Sequence, residues 1–223
     1  MSDELFAQQL AYYNARAQEY DESVQQTGRY TGPGIPEVDT EWQYIARRLH
    51  EVPQVHHTLE LACGTGLWTQ ELLDISEHIT AVDGAPEMLA TNKAKLKNPR
   101  VRYQQADLFA WQPVGVYDLV FFAFWISHVP PERLAAFIQQ AAAAVKPGGR
   151  IFIADEPGGG RQLSGPVENE MEQTRTLHNG HTYRIVKVYH APEGLQTQLQ
   201  ALGFTDVDLW VGDYFFWLTA VKQ

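Results

Sequence analysis

Apolar positions at three-to-four spacing open the chain: Leu5, Ala7, Leu10, Tyr13, Ala17 and Tyr20 predict an amphipathic helix over residues 5–20. A stretch rich in Gly, Pro and Thr follows, QQTGRYTGPGIP. Thr40 with Gln43 then predicts a capping box and a second helix ending near His50. From His57 the rhythm becomes strand then helix, repeated. Strands are predicted at 57–62, 79–83, 101–106, 117–124 and 151–154. Helices are predicted at about 66–75, from Pro86 to about Lys97, and from Pro130-Pro131 to Val145. The run from Tyr117 to Phe124 is nearly all apolar, as a central strand buried on both faces requires. This alternation predicts a parallel sheet with helices on both faces.

The last third departs from that rhythm. Residues 155–172 are polar and Gly-rich and predict a loop. Arg175 to Val188 predicts a β-hairpin around Asn179-Gly180, a pair favoured in two-residue type I′ turns. A helix from Pro192 to Leu202 stopped by Gly203 comes next, then strands at 204–211 and 214–221 joined at Gly212-Asp213. One domain over residues 1–223 is expected, with 1–50 as a helical cap and 157–190 as an inserted lid that carries the hairpin.

Composition narrows the function classes. The 223 residues, 44% hydrophobic and 20% charged, suffice for an α/β domain with a sizeable core. Seventeen Lys and Arg against 27 Asp and Glu leave a net charge of −10, which repels phosphate backbones, so no nucleic-acid partner is expected. The single Cys63 excludes an internal disulfide and a Cys-based zinc site, and His178 and His181 lack a third ligand, so no metal is expected. MSDELFAQQL lacks the basic segment and apolar core of a secretory leader. The longest apolar run, Leu119 to Ile126, is too short to cross a bilayer. A cytoplasmic location without membrane contact is therefore expected, and a homodimer is compatible with it.

The densest local signal is Leu59-Glu60-Leu61-Ala62-Cys63-Gly64-Thr65-Gly66. Two glycines at the tip of the first predicted strand allow a tight turn and close approach to a ligand, and the next helix aims its N-terminal N–H groups at the same place. Rossmann dinucleotide enzymes share this element. The acidic strand ends sharpen it: Asp83 is placed to bind ribose hydroxyls and Asp107 to accept from an adenine amine. Taken singly, each Asp reads equally as a turn-former. Against NAD, the pattern is G-x-G-x-x-T, with Thr69 where a third glycine is expected, and the chain ends in an antiparallel hairpin rather than a second βαβαβ half.

Cations are scarce, yet Arg175, Arg184 and Lys187 gather in the hairpin. A two-residue turn puts Arg175 opposite Arg184, a pairing that calls for an anion or acid between them. It also puts Lys187 on the other face from Arg175. The three read either as a grip for an oxyanion or as a solvated edge paired with Glu168, Glu170 or Glu172. His128 follows the central strand and reads as a base, as a donor to an anion, or as part of the start of the next helix. Trp68, Phe124 and Trp125 read as site walls or as core.

ELACGTG, AVDGAPEML, QADLF, YDLVFFAFWISHVP and KPGGRIFIADE, in this order over residues 59–156, resemble the successive motifs of class I S-adenosylmethionine-dependent methyltransferases. The resemblance implies an α/β Rossmann-like three-layer sandwich with a seven-stranded, mostly parallel sheet in the order 3-2-1-4-5-7-6. It implies S-adenosyl-L-methionine as cofactor, with Glu60, Ala62, Gly64 and Gly66 along the loop. Asp83 then falls on ribose, Met88 beside adenine, and Asp107 and Leu108 at the adenine edge. Apart from the resemblance, Tyr20 reads either as an aromatic neighbour of the sulfonium or as a core-facing residue of its amphipathic helix. Ala62 stands where the family usually has the first glycine. YYNARAQEYD, FWISHVP and TRTLHNGHTYRIVKVYHAPEGL further resemble phosphonate O-methyltransferases of the kind found in dehydrophos biosynthesis. By that resemblance Tyr30, Arg175 and Lys187 belong to the acceptor site; His128 is a candidate there by its position after the central strand. The expected reaction is O-methylation of a small anionic acceptor, a phosphonate or a carboxylate. Methylation of a phenol, amine or thiol with His128 as base, and cofactor binding without turnover by a regulator, are the alternatives. Ala123-Phe124-Trp125-Ile126 stands where nucleic-acid methyltransferases carry an Asn/Asp-Pro-Pro-aromatic tetrad.

Overall fold

The computed structural model describes residues 3–24, 35–160, 163 and 171–223. Seven helices and nine strands are described: α1 Asp3–Arg16, α2 Tyr20–Val24, α3 Pro36–His50, β1 Val55–Leu61, α4 Leu67–Leu72, β2 Ser76–Asp83, α5 Pro86–Leu96, β3 Val101–Gln105, β4 Tyr117–Ala123, α6 Pro131–Ala144, β5 Val145–Asp155, β6 Glu172–Thr176, β7 Thr182–Val186, α7 Pro192–Ala201, β8 Phe204–Val211 and β9 Phe216–Lys222. The main sheet has the order β3-β2-β1-β4-β5-β9-β8, and β6-β7 form a separate hairpin. With the hairpin set aside this is the expected 3-2-1-4-5-7-6 order. β1 to β5 run parallel, and β9 is antiparallel to both β5 and β8.

Period-two alternation in the central strands feeds two cores. Leu59, Leu61, Val120, Phe122, Ile151 and Ile153 face α6 and α7, where they meet Phe137, Ile138, Leu195 and Leu199. Leu119, Phe121 and Phe152 face the other way, toward Ile45, Leu49, Trp68 and Leu72 of α3 and α4. Helices cover both faces, so the carboxyl ends of the parallel strands are left as the open edge for ligands.

Four expectations need correction. The single helix over 5–20 breaks at residues 17–19 into α1 and α2. The break packs Ala17 against Ala85 and Met88 and turns the buried Glu19 carboxylate toward the backbone N–H of His178. α3 starts at Pro36, not Thr40. Proline suits the first helical turn, and the Thr40 hydroxyl donates to the Pro36 carbonyl at 2.8 Å instead of capping. β5 begins at Val145, so the Lys-Pro-Gly-Gly stretch lies within the strand. A Cβ on Gly149 would stand 3.0 Å from the carbonyl oxygens of Tyr117 and Asp118, so only glycine fits there.

The hairpin turn is the fourth. Leu177 N–H donates to His181 O and Gly180 N–H to Leu177 O, both at 2.9 Å, and Gly180 has φ +82°. Three residues, 178–180, thus close the turn, with glycine in the left-handed position that a type I turn plus bulge requires. The extra residue moves the register: Arg175 pairs with Tyr183, and Thr174 with Arg184. Arg184 points outward and meets Glu172 at 3.3 Å, so this cation alone matches the solvated-edge reading. Lys187 N–H reaches Met171 O at 3.0 Å, which places Lys187 on the same face as Arg175.

Candidate functional site

The loop between β1 and α4 is shaped by three left-handed residues, Ala62 (φ +56°), Gly64 (φ +51°) and Gly66 (φ +89°). Asp83, at the end of β2, braces it: Oδ2 accepts from Gly64 N–H at 2.9 Å and Oδ1 from Ala85 N–H at 2.8 Å. Burial pushes the Asp83 carboxyl above its ordinary range, and the N–H donors of Ala85, Gly64 and Gly84 oppose that rise. Behind the loop Tyr103 OH donates to Asn92 Oδ1, Asn92 Nδ2 to Thr69 Oγ1, and Thr69 Oγ1 to Glu60 Oε2 at 2.6 Å. Burial raises the Glu60 carboxyl to about 8. Gly66 needs its missing Cβ, which would lie 2.5 Å from Asn92 Oδ1.

A cavity of about 610 Å³ runs along the carboxyl ends of β1, β2 and β4. Asp83, Met88, Asp107 and Leu108 line it, together with Ala62, Gly64, Tyr20 and Phe124. Asp107 Oδ1 accepts from Phe109 N–H at 2.9 Å, which orients the carboxylate at the tip of β3. Of the residues expected around a nucleoside, Glu60 and Gly66 do not reach this cavity; they shape the loop from behind. Trp68 does not line this cavity but an adjoining one, and it tilts at 31° against Trp42, which in turn lies flat on Phe124 at 5.1 Å and 3°. Cys63 is buried, and desolvation holds its thiol well above the ordinary value, so it packs rather than reacts.

A second cavity of about 510 Å³ adjoins the first and shares with it Tyr13, Tyr20, Ala62, Gly64, Phe124 and His128. Ala62 and Phe124 (φ +55°) are both non-glycine residues in left-handed backbone, a strain of the kind retained at ligand sites. Arg16, Arg175 and Lys187 line the second cavity, with Glu156 the one carboxylate among the described lining. Lys187 Nζ donates to Glu156 Oε1 at 2.7 Å and to Ser127 Oγ at 3.2 Å. Arg175 Nε is shielded from water and has no hydrogen-bond partner among the described residues. The predicted Tyr30 lies outside the described residues.

His128 sits where the cavities meet. Its Nδ1 lies 2.7 Å from Val186 O and its Nε2 2.7 Å from Tyr13 OH. Burial, then the Lys187, Arg175 and Arg16 charges, push its pKa well below the ordinary value and so favour the neutral ring, against the opposing Val186 carbonyl. Sequence reasoning placed Tyr13 on the apolar face of a helix and missed Arg16, Ser127 and Glu156. α1 brings Tyr13 in by packing on the hairpin, where Gln8 and Gln9 side chains accept from Arg184 and Val186 N–H. No local motif encodes that contact. His178, one of the two histidines flanking the hairpin turn, is held by Glu19 at 2.8 Å.

Comparison with known proteins agrees with this geometry. Residues 58–149 match a family model described as a methyltransferase domain. The solved "DhpI-SAM-HEP complex" is 37% identical, with a TM-score of 0.81 and 99% of each chain covered. The "DhpI-SAH complex structure" is 36% identical at TM-score 0.78, covering 99% of this chain and 98% of that one. A ubiquinone biosynthesis O-methyltransferase of Xanthomonas axonopodis pv. citri (strain 306) is 28% identical over 116 residues, 50% of this chain. That match spans about half the curated relative's own length, 47%. No helix among the described residues is long and apolar enough to cross a membrane. With near-complete coverage at 37% identity, and with its glycine loop and acidic strand ends lining one groove, the chain belongs to the class I S-adenosylmethionine-dependent methyltransferases.

Proposed function

We propose that the chain is an S-adenosylmethionine-dependent O-methyltransferase whose acceptor is a small anion, a phosphonate or carboxylate. The first cavity has the chemistry a nucleoside needs: a carboxylate at the end of β2 for ribose hydroxyls, a second at the end of β3 for an amine, and Met88 with Leu108 as apolar walls. When bound, the cofactor supplies an electrophilic methyl group that needs no further activation.

What remains for the chain's own residues is alignment and exclusion of water, worth about 7–11 kcal/mol when two reactants are held in line. Phe124, backed by Trp42, forms a rigid apolar wall between the cavities. The acceptor reading rests above all on Arg175 Nε, a shielded guanidinium donor with no partner among the described residues, in a cavity also lined by Arg16 and Lys187. An anion makes a charge-assisted hydrogen bond to that donor and offsets the surrounding cationic charge, whereas a neutral acceptor offers only the weaker bond of an uncharged lone pair, so the anion is favoured by about 1–2 kcal/mol. The reading in which His128 deprotonates a phenol, amine or thiol has to contend with Tyr13, whose hydroxyl occupies Nε2.

The test is a competition among small phosphonates, carboxylates, phenols and amines with S-adenosylmethionine and the purified chain. Mass spectrometry reads which gains a methylene unit. Methylation confined to the phenols or amines would overturn the anionic reading.

A further inference from the structure

The Val186 carbonyl can only accept, so the His128 nitrogen 2.7 Å from it, Nδ1, carries the ring proton. Nε2 of the neutral ring then offers a lone pair, and the Tyr13 hydroxyl 2.7 Å away must donate to it. With its one proton committed, the Tyr13 oxygen turns only lone pairs toward the junction of the two cavities that it lines. Among the described residues, Arg16 and Tyr12 on α1, Tyr20 on α2, Arg175 on β6 and Lys187 after β7 are the charged and titratable groups facing this pair, with Glu156 lining the same cavity on Lys187. The cations draw an acid in, yet an acid oxygen without a proton would meet the Tyr13 lone pairs head on.

We propose that Tyr13, oriented by His128, is a specificity-determining residue of the acceptor cavity that admits an acid only together with one proton. This rests on the anionic-acceptor reading above. The proton has two routes to the same composition. It arrives as the acid's own O–H, donated to Tyr13. Alternatively, water supplies it to His128 Nε2, which then donates to Tyr13 and frees the phenolic O–H for the acid oxygen. In both, one proton enters with the acid, no bond to carbon changes, and nothing else is consumed. The acid's negative charge offsets the charge His128 gains beside Arg175 and Lys187.

The test is isothermal titration of the full chain with methylphosphonate at about pH 8.5, where that acid is a dianion, in two buffers of different ionisation enthalpy. The expected result is uptake of close to one proton per acid bound. The apparent Kd should rise about tenfold per pH unit over the alkaline range. His128→Asn removes the titrating ring and frees the Tyr13 hydroxyl to donate, so the uptake and the pH slope should vanish. Binding by the unaltered chain with no uptake and a flat pH dependence overturns the proposal, whatever the variant does. Uptake that persists in a folded His128→Asn variant overturns it too. Absence of any binding of methylphosphonate, inorganic phosphate and acetate instead contradicts the anionic-acceptor reading, and the proposal falls with it.

Discussion

Lys187 Nζ donates to Glu156 Oε1 across 2.7 Å, and the two side chains are only 3% and 9% exposed. Removing one partner of such a buried pair costs about 3–5 kcal/mol, because the remaining charge keeps its desolvation penalty and loses its counter-ion. Lys187→Met is therefore expected to lower stability by that amount in urea unfolding. Lys187→Met combined with Glu156→Gln should recover most of the loss. If the double variant is no more stable than the single one, the pair is not what holds this wall of the cavity together.

Arg175 is arranged differently, with Nε lacking a hydrogen-bond partner among the described residues. Arg175→Ala should leave the fold and S-adenosylmethionine affinity near those of the parent. It should raise KM for an anionic acceptor roughly 10- to 100-fold, the value of one charge-assisted hydrogen bond. Steady-state kinetics beside a cofactor titration separates the two effects. An unchanged KM would remove Arg175 from the acceptor grip.

Gly66 holds φ +89° and its Cβ position coincides with the Asn92 amide. Gly66→Ala should cost about 1–3 kcal/mol of stability through the backbone conformation and weaken cofactor binding by displacing the loop. Asn92→Ala clears the steric overlap but not the left-handed φ, and by itself removes the hydrogen bonds to Thr69 and Tyr103, so the added cost of Gly66→Ala in the Asn92→Ala background should be smaller than in the parent but not zero in thermal unfolding. No added cost in that background would mean that packing, rather than φ, makes glycine necessary there.

Glu60 titrates from an ordinary 4.5 up to about 8 in the fold, through burial first. Its folded value exceeds its unfolded one, so its contribution to stability is complete below 4.5 and lost as pH rises through 8. Between those values the unfolded chain has shed a proton that the folded chain keeps. The stability of the ligand-free protein should decline there by up to about 1.4 kcal/mol per pH unit from this group. Glu60→Gln should lack that decline, so its stability relative to the parent should rise from pH 5 to 8 and level off above. Parallel curves over that range would show that Glu60 ionises normally.

The sheet and the cofactor side of the groove were legible because they are written locally. Strand and helix periods, the glycine pair at the tip of β1 and the acids ending β2 and β3 all lie within short stretches of chain. The hairpin register was not, because one added residue in the turn decides it, and Asn179-Gly180 suits both a two-residue loop and the observed three-residue one. That single residue carries Lys187 onto the face of Arg175. Tyr13 escaped notice because its role comes from a contact with His128 across 115 positions, made when α1 packs on β7. Glu156 was equally silent, since a carboxylate just past a strand end gives no sign that a lysine from the hairpin will face it.

The most direct measurement is methyl transfer from S-adenosylmethionine to a panel of small phosphonic and carboxylic acids, followed by mass spectrometry, with the parent chain and Arg175→Ala side by side. The expected result is a one-methylene gain on at least one anionic acid, strongly reduced in the variant while both proteins bind the cofactor equally. Cofactor binding with no gain on any acid, or equal gain by both proteins, would contradict a cation-lined acceptor cavity beside the nucleoside groove.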